Sequence, residues 1–150
     1  MNFSNILVVG LGLIGGSIIK SLKTHSFTGG VYGLDSNELV LKEAYELGFI
    51  QNKGKEIETP LKDLLVVFAV PSLSINKAIS NLNEDLITEN VLYTDTCSVK
   101  SSVLGVLKDK SHKIRDNFIL SHPIAGSEKS GLSESSSTLF NKKLTIICPH

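Results

Sequence analysis

Ile6-Leu7-Val8-Val9-Gly10-Leu11-Gly12-Leu13-Ile14-Gly15-Gly16-Ser17 decides the fold, because a short apolar run enters a GxGxxG turn and leaves it with helical spacing. Each glycine has a separate physical task in such a turn. Gly10 permits the tight reversal after the strand, and Gly12 removes a side chain that would block a pyrophosphate. Gly15 lets the helix close onto the strand, while the first-turn amides of Leu13, Ile14 and Gly15 face the anion together with the positive end of the helix dipole. Asp35 lies twenty residues after Gly15, at the end of the next apolar run. There its carboxylate accepts hydrogen bonds from an adenosine ribose and repels a 2′-phosphate, and neither Ser36 nor Asn37 brings the arginine that NADP would favour. NAD is the cofactor these residues imply.

Outward from the turn, short β-branched runs alternate with stretches of helical period, the pattern of a parallel sheet covered by helices. Strands are predicted over residues 6–10, 31–35, 64–70, 91–95, 118–121 and 144–148, and the first and third are apolar nearly throughout, as strands buried on both faces must be. Helices are predicted over 13–23, 37–47, 75–82 and 99–107. Asn37 supplies a capping side chain and Gly48 a left-handed stop, while Ser74 and Ser98 precede the last two helices as N-cap candidates. The fold class is therefore α/β: a Rossmann-type, doubly wound and mostly parallel sheet with helices on both faces, filling residues 1–150 as one nucleotide-binding domain. Residues 127–138 carry six serines and read as an irregular, mobile connection. Ala69-Val70-Pro71-Ser72 closes the third strand, so Val70 and Pro71 are the next residues a dinucleotide would pass.

Fifteen basic and fifteen acidic side chains cancel, so no global field draws the chain to nucleic acid or to anionic lipid. The glycine-broken apolar run near the start is neither a membrane span nor a signal peptide. Cys97 and Cys148 lie far apart without metal-ligand spacing; reduced thiols, no metal and a cytoplasmic setting are the expectations.

Two further strand ends carry groups that suit a hydride transfer. Asp95-Thr96-Cys97-Ser98-Val99-Lys100 follows the fourth strand, and Ser121-His122-Pro123-Ile124-Ala125-Gly126-Ser127-Glu128-Lys129-Ser130-Gly131 completes the fifth. An imidazole at a strand's carboxyl edge can take a substrate proton near neutral pH. His25, His112 and His150 fall in surface segments and read as solvated side chains; Lys100 fits a solvated first-turn residue and is left unassigned. Asp95 reads as an anchor for neighbouring amides, and Cys97 has no base beside it.

Taken together, GLGLIGGS at 10–17, DTCSVK at 95–100 and SHPIAGSEKSG at 121–131 resemble the linked motifs of the prephenate and arogenate dehydrogenases, in the family's order and over essentially the whole chain. The resemblance implies a catalytic role for His122, which would hydrogen-bond the ring hydroxyl of prephenate and draw off its proton. It implies that Ser98 contacts that hydroxyl, the histidine and the nicotinamide side, and that Glu128 helps close the substrate pocket. The implied reaction is NAD-dependent oxidative decarboxylation of prephenate to 4-hydroxyphenylpyruvate, in tyrosine biosynthesis. In that family the nucleotide domain continues with another helix and strand, and a helical domain forms a homodimer and supplies a cationic pocket. Arg115, the one arginine of the chain, stands in a predicted loop, so substrate carboxylates have no obvious partner here. The chain alone is expected to bind NAD and to turn over prephenate poorly, with apolar surface exposed beside its last strand. The alternatives are an arogenate or other small hydroxy-acid dehydrogenase, and a dinucleotide-binding module without chemistry of its own.

Overall fold

The computed structural model describes residues 3–149. Six strands form one sheet in the order β2-β1-β3-β4-β5-β6: β1 Asn5–Val9, β2 Gly30–Leu34, β3 Leu64–Phe68, β4 Leu92–Asp95, β5 Phe118–Pro123 and β6 Thr145–Cys148. The first five run parallel, and β6 returns antiparallel to β5. Five α-helices fill the connections: α1 Leu13–Thr24, α2 Glu38–Glu46, α3 Ile75–Ser80, α4 Lys100–Leu107 and α5 His112–Arg115. The doubly wound Rossmann-type expectation holds. Alternation along β1 shows why: Ile6 and Val8 pack with Ile19 of α1 and with Leu41 and Ala44 of α2. Leu7 and Val9 face the other way, onto Ile75 and Ile79 of α3, Val103 and Leu107 of α4 and Ile114 of α5. A strand sandwiched between two helical layers must be apolar on both sides, which explains the unbroken runs of β1 and β3.

Helix ends follow local chemistry where that chemistry is present. Asn37 caps α2 by accepting from the Leu39 amide at 3.0 Å. At its other end Gly48, at φ 66°, closes a Schellman turn in which Phe49 donates to the Ala44 carbonyl and Gly48 to that of Tyr45. Neither serine cap forms. Ser74 is already helical in backbone, because a 3-10 turn at Ser72–Ser74 leads into α3, so its hydroxyl has no first-turn amide to reach. Ser98 stands one residue too early: Val99 occupies the N-cap position of α4, and no side chain caps that helix.

Several boundaries shift for similar reasons. β3 ends at Phe68 as the chain turns toward Pro71, whereas β5 runs on through His122 and Pro123 because β6 pairs with both, Ile146 opposite His122 and Thr145 opposite Pro123. Arg115 ends the short α5 rather than standing in a loop, and it pairs with Asp116 at 2.9 Å. The serine-rich segment is irregular but anchored, contrary to expectation. Leu132 is 3% exposed and joins the core on the α1 side, and Ser135 is 8% exposed. Ser136 donates its amide to Ser17 Oγ at 2.9 Å, and Lys20 reaches the carbonyls of Leu132 and Ser135 at 3.1 and 3.0 Å.

The outer edges differ. Beyond β2, the buried Asn52 replaces a neighbouring strand, accepting from the Gly33 amide at 2.9 Å and donating to the Gly33 carbonyl at 2.7 Å. β6 has no such cover, and Ile146 and Ile147 stay 49% and 59% exposed, as the expectation of apolar surface beside the last strand required.

Candidate active site at the carboxyl edge of the sheet

All five parallel strands deliver their carboxyl ends to one edge: Val9 lies beside Leu34 and Phe68, and Phe68 beside Asp95. The order of strands reverses between β1 and β3, the kind of point at which open α/β sheets bind ligands, and there Gly10 packs directly against the Ala69-Val70 segment. Gly10 sits at φ 91°, and a Cβ on it would come within 2.6 Å of the Ala69 carbonyl oxygen and 2.7 Å of Val70. A Cβ on Gly15 would lie 1.8 Å from the Gly10 carbonyl oxygen, so α1 reaches β1 only because that atom is missing. These two glycines are structural requirements of the turn.

Gly12 is different. Its φ of −73° is open to any residue, and a Cβ there would meet no protein atom within 4 Å. Packing within the chain does not call for glycine at this position, and its absent side chain leaves open space in front of the helix start. The same helix start has no side-chain cap and no acidic residue in its first turn, leaving the amides near Leu13, Ile14 and Gly15 for an anion. Asp35 Oδ2 accepts from the Leu11 amide at 2.7 Å and Oδ1 from Asn37 at 2.9 Å, which fixes the carboxylate beside the turn. The residues thus fit a dinucleotide. Pro71 is exposed at the start of the 3-10 turn, and Val70 is half-buried beside Gly10.

Further along the edge, the loop after β4 lies against the end of β5. His122 Nδ1 is 3.2 Å from the Thr96 carbonyl oxygen. A carbonyl can only accept, so Nδ1 of the neutral ring carries the hydrogen and Nε2 keeps its lone pair. Ser98, two residues past Thr96, is exposed on the same loop. Cys97 is buried, donates to the Val70 carbonyl at 3.4 Å, and burial, reinforced by the charge of Asp95, pushes its thiol up to about 11. A protonated thiol tied to a carbonyl is no nucleophile at neutral pH. Glu128 lies exposed on the loop after β5, where the neighbouring ion pair joins Lys129 to Glu134 at 2.7 Å. That contact raises the Lys129 pKa and lowers that of Glu134.

A family model described as the prephenate dehydrogenase, nucleotide-binding domain matches residues 18–150. The chain belongs to that family. It is 31% identical to prephenate dehydrogenase of Bacillus subtilis (strain 168), over 96% of this chain and 39% of that protein. Cyclohexadienyl dehydrogenase of Zymomonas mobilis is 30% identical, over 98% and 50%. The crystal structure of prephenate dehydrogenase from A. aeolicus in complex with hydroxyphenyl propionate and NAD+ superposes with a TM-score of 0.82 at 31% identity, over 100% of this chain and 52% of that one. The chain therefore spans half or less of the length of these curated relatives. The glycine turn at 10–17 lies wholly before the span that the family model matches, residues 18–150.

Sequence reasoning missed what holds this edge together. Asp95 is fully buried and pairs with Lys100, whose side chain is only 14% exposed, so Lys100 is not a solvated residue. Asp95 also accepts from the Cys97 amide at 2.9 Å, as its reading as an amide anchor required. Gly16 was likewise passed over: a Cβ there would lie 2.7 Å from Ser135 Oγ and 2.8 Å from Leu132. No local signal marks such partners, which are more than 110 residues away in sequence. A hollow of about 640 Å³ lies at the opposite end of the strands, lined by Lys62, Asp63, Leu86 and Asn117 among others, and holds none of the site residues.

Proposed function

We propose that the chain binds NAD across Gly10, Gly12 and Asp35, with Val70 and Pro71 along its path, and that it carries the proton-accepting histidine of a prephenate dehydrogenase. The observation that carries the reading is the His122 ring, set by Thr96 to offer an unprotonated Nε2 on the same edge as the open face of Gly12. NAD supplies the hydride acceptor. His122 takes at Nε2 the proton of the substrate hydroxyl whose carbon gives up the hydride, and Ser98 orients that hydroxyl from the adjoining loop. Loss of the ring carboxylate as carbon dioxide leaves the aromatic ring of 4-hydroxyphenylpyruvate, so positioning rather than driving force is the protein's task. Glu128 borders the entrance.

Carboxylate recognition is the part these residues leave open. Arg115 sits at the amino end of β5, away from the site, and is paired with Asp116. Lys20, Lys100 and Lys129 are already engaged with Leu132 and Ser135, Asp95, and Glu134. Turnover of a dicarboxylate then depends on cations beyond this chain, and taken alone the chain is a cofactor-binding module. Calorimetric titration with NAD, then prephenate, tests this: NAD binds, and reduced cofactor accumulates negligibly. Gly12→Ala should weaken NAD at least about tenfold, some 1.4 kcal/mol, without changing the melting temperature. NAD affinity untouched by that substitution would sink the proposed cofactor path; enzyme-like turnover by the chain alone would sink the account of the missing cations.

A further inference from the structure

The buried pair Asp95 and Lys100 does more than join a strand to a helix. Asp95 Oδ2 accepts from Cys97 N and from Lys100 Nζ, and its Oδ1 accepts from Ser121 N at 3.3 Å. Lys100 Nζ donates in addition to the Ser121 carbonyl, and Ser121 Oγ donates to the Asp95 carbonyl at 2.7 Å. The residues flanking Thr96 on both sides are therefore tied to the residue immediately before His122. An apolar pair of the same volume would fill the space as stably, but it could not hold backbone groups of both β5 and the loop after β4.

We propose that Asp95 and Lys100 are positioning residues that set the tautomer of His122, by clamping the Thr96 carbonyl against its Nδ1. The inference rests on the reading of His122 as the proton acceptor, since the ring serves that role only while Nε2 lacks hydrogen. With the clamp released, the Thr96 carbonyl drifts from Nδ1, the ring is free to carry its hydrogen on Nε2, and the site then meets a donor where it needs an acceptor. Lys100 touches neither the glycine turn nor Val70 and Pro71, so NAD affinity does not depend on its amine.

Long-range proton–nitrogen NMR of the histidine rings in the intact chain reads this directly. In the unsubstituted protein His122 shows hydrogen on Nδ1. Lys100→Met should convert it to a mixture of tautomers with NAD affinity and amide dispersion unchanged. Lys100→Gln, which keeps one donor on a shorter arm, should fall between the two and serves if the methionine variant fails to fold. A ring that keeps hydrogen on Nδ1 in a folded variant overturns the positioning role and leaves the base assignment standing. A variant ring that changes while His122→Asn leaves turnover intact in a polypeptide of the relatives' full length upholds the clamp and removes the base. Hydrogen on Nε2 in the unsubstituted protein overturns both.

Discussion

Ser26 holds a left-handed backbone, φ 56°, at the point where α1 stops. It donates to the Lys23 carbonyl at 3.2 Å, and Phe27 donates to that of Leu22 at 3.0 Å, so α1 ends in the same Schellman turn that closes α2. At α2 the left-handed position is filled by Gly48; at α1 it is filled by a residue whose Cβ resists that conformation. Ser26→Gly should therefore stabilise the protein by about 0.5–1 kcal/mol and raise the melting temperature by roughly 1–4 °C. The mirror experiment, Gly48→Ala, should cost about 1 kcal/mol, since its Cβ meets only the movable Lys23 amine at 3.3 Å and the strain is conformational. A Ser26→Gly melt at or below that of the parent would show that the serine hydroxyl contributes more than its backbone costs.

The connection from β5 to β6 is the element whose behaviour depends most on distant contacts. It runs over residues 124–144 with no regular structure, yet Leu132 fills the core while Ser135 and Ser136 lie on α1. Gly16→Ala sets two effects against each other: alanine favours the helix by about 1 kcal/mol, and its Cβ displaces Ser135 and Leu132 from contacts under 3 Å. Docking should lose. The amides of residues 132–136 should exchange faster in this variant while those of β1 and β3 stay protected, and unchanged exchange at Ser136 would contradict the docking. The same element marks where the sequence stops being informative. The turn at Gly10 to Gly15, the Asn37 cap and the apolar β1 and β3 are visible because each is enforced by neighbours a few residues away. Lys100 looked solvated because its partner, Asp95, stands five residues back across a strand end, a spacing with no helical meaning. The direction of β6 was open to inference: a connection without a helix favours an antiparallel return, since parallel neighbours need a crossover. The placement of Ser98, exposed and uncapping, was not, because one residue decides whether a serine faces a helix start.

The two helical layers meet through one sheet, and its centre is aromatic. Tyr93 is fully buried, with its ring 6.4 Å from that of Phe118, which in turn lies 5.9 Å from Phe68, and its hydroxyl donates to the Leu86 carbonyl at 3.2 Å. Burial pushes Tyr93 up to about 12 from its ordinary value of 10, and Cys97, at the site itself, up to about 11 from 9. Both groups are neutral when protonated, so the folded state binds their protons more tightly than the unfolded chain does. The stability this represents, on the order of 2 kcal/mol for each group, is fully present below the unfolded pKa and disappears as pH rises through the folded one. Urea denaturation should therefore give a stability that declines between about pH 9 and 11 through Cys97, and between about 10 and 12 through Tyr93. Tyr93→Phe should cost about 1 kcal/mol at neutral pH through the lost hydrogen bond and flatten the upper part of that decline. Cys97→Ala should flatten the lower part. Because Cys97 donates to Val70 and carries the loop that bears Ser98, unfolding that begins from its ionisation should open the site before the β1–β3 centre, so NAD affinity should fail at lower pH than far-ultraviolet circular dichroism. Coincident loss of the two signals would mean that sheet and site unfold as a single cooperative unit.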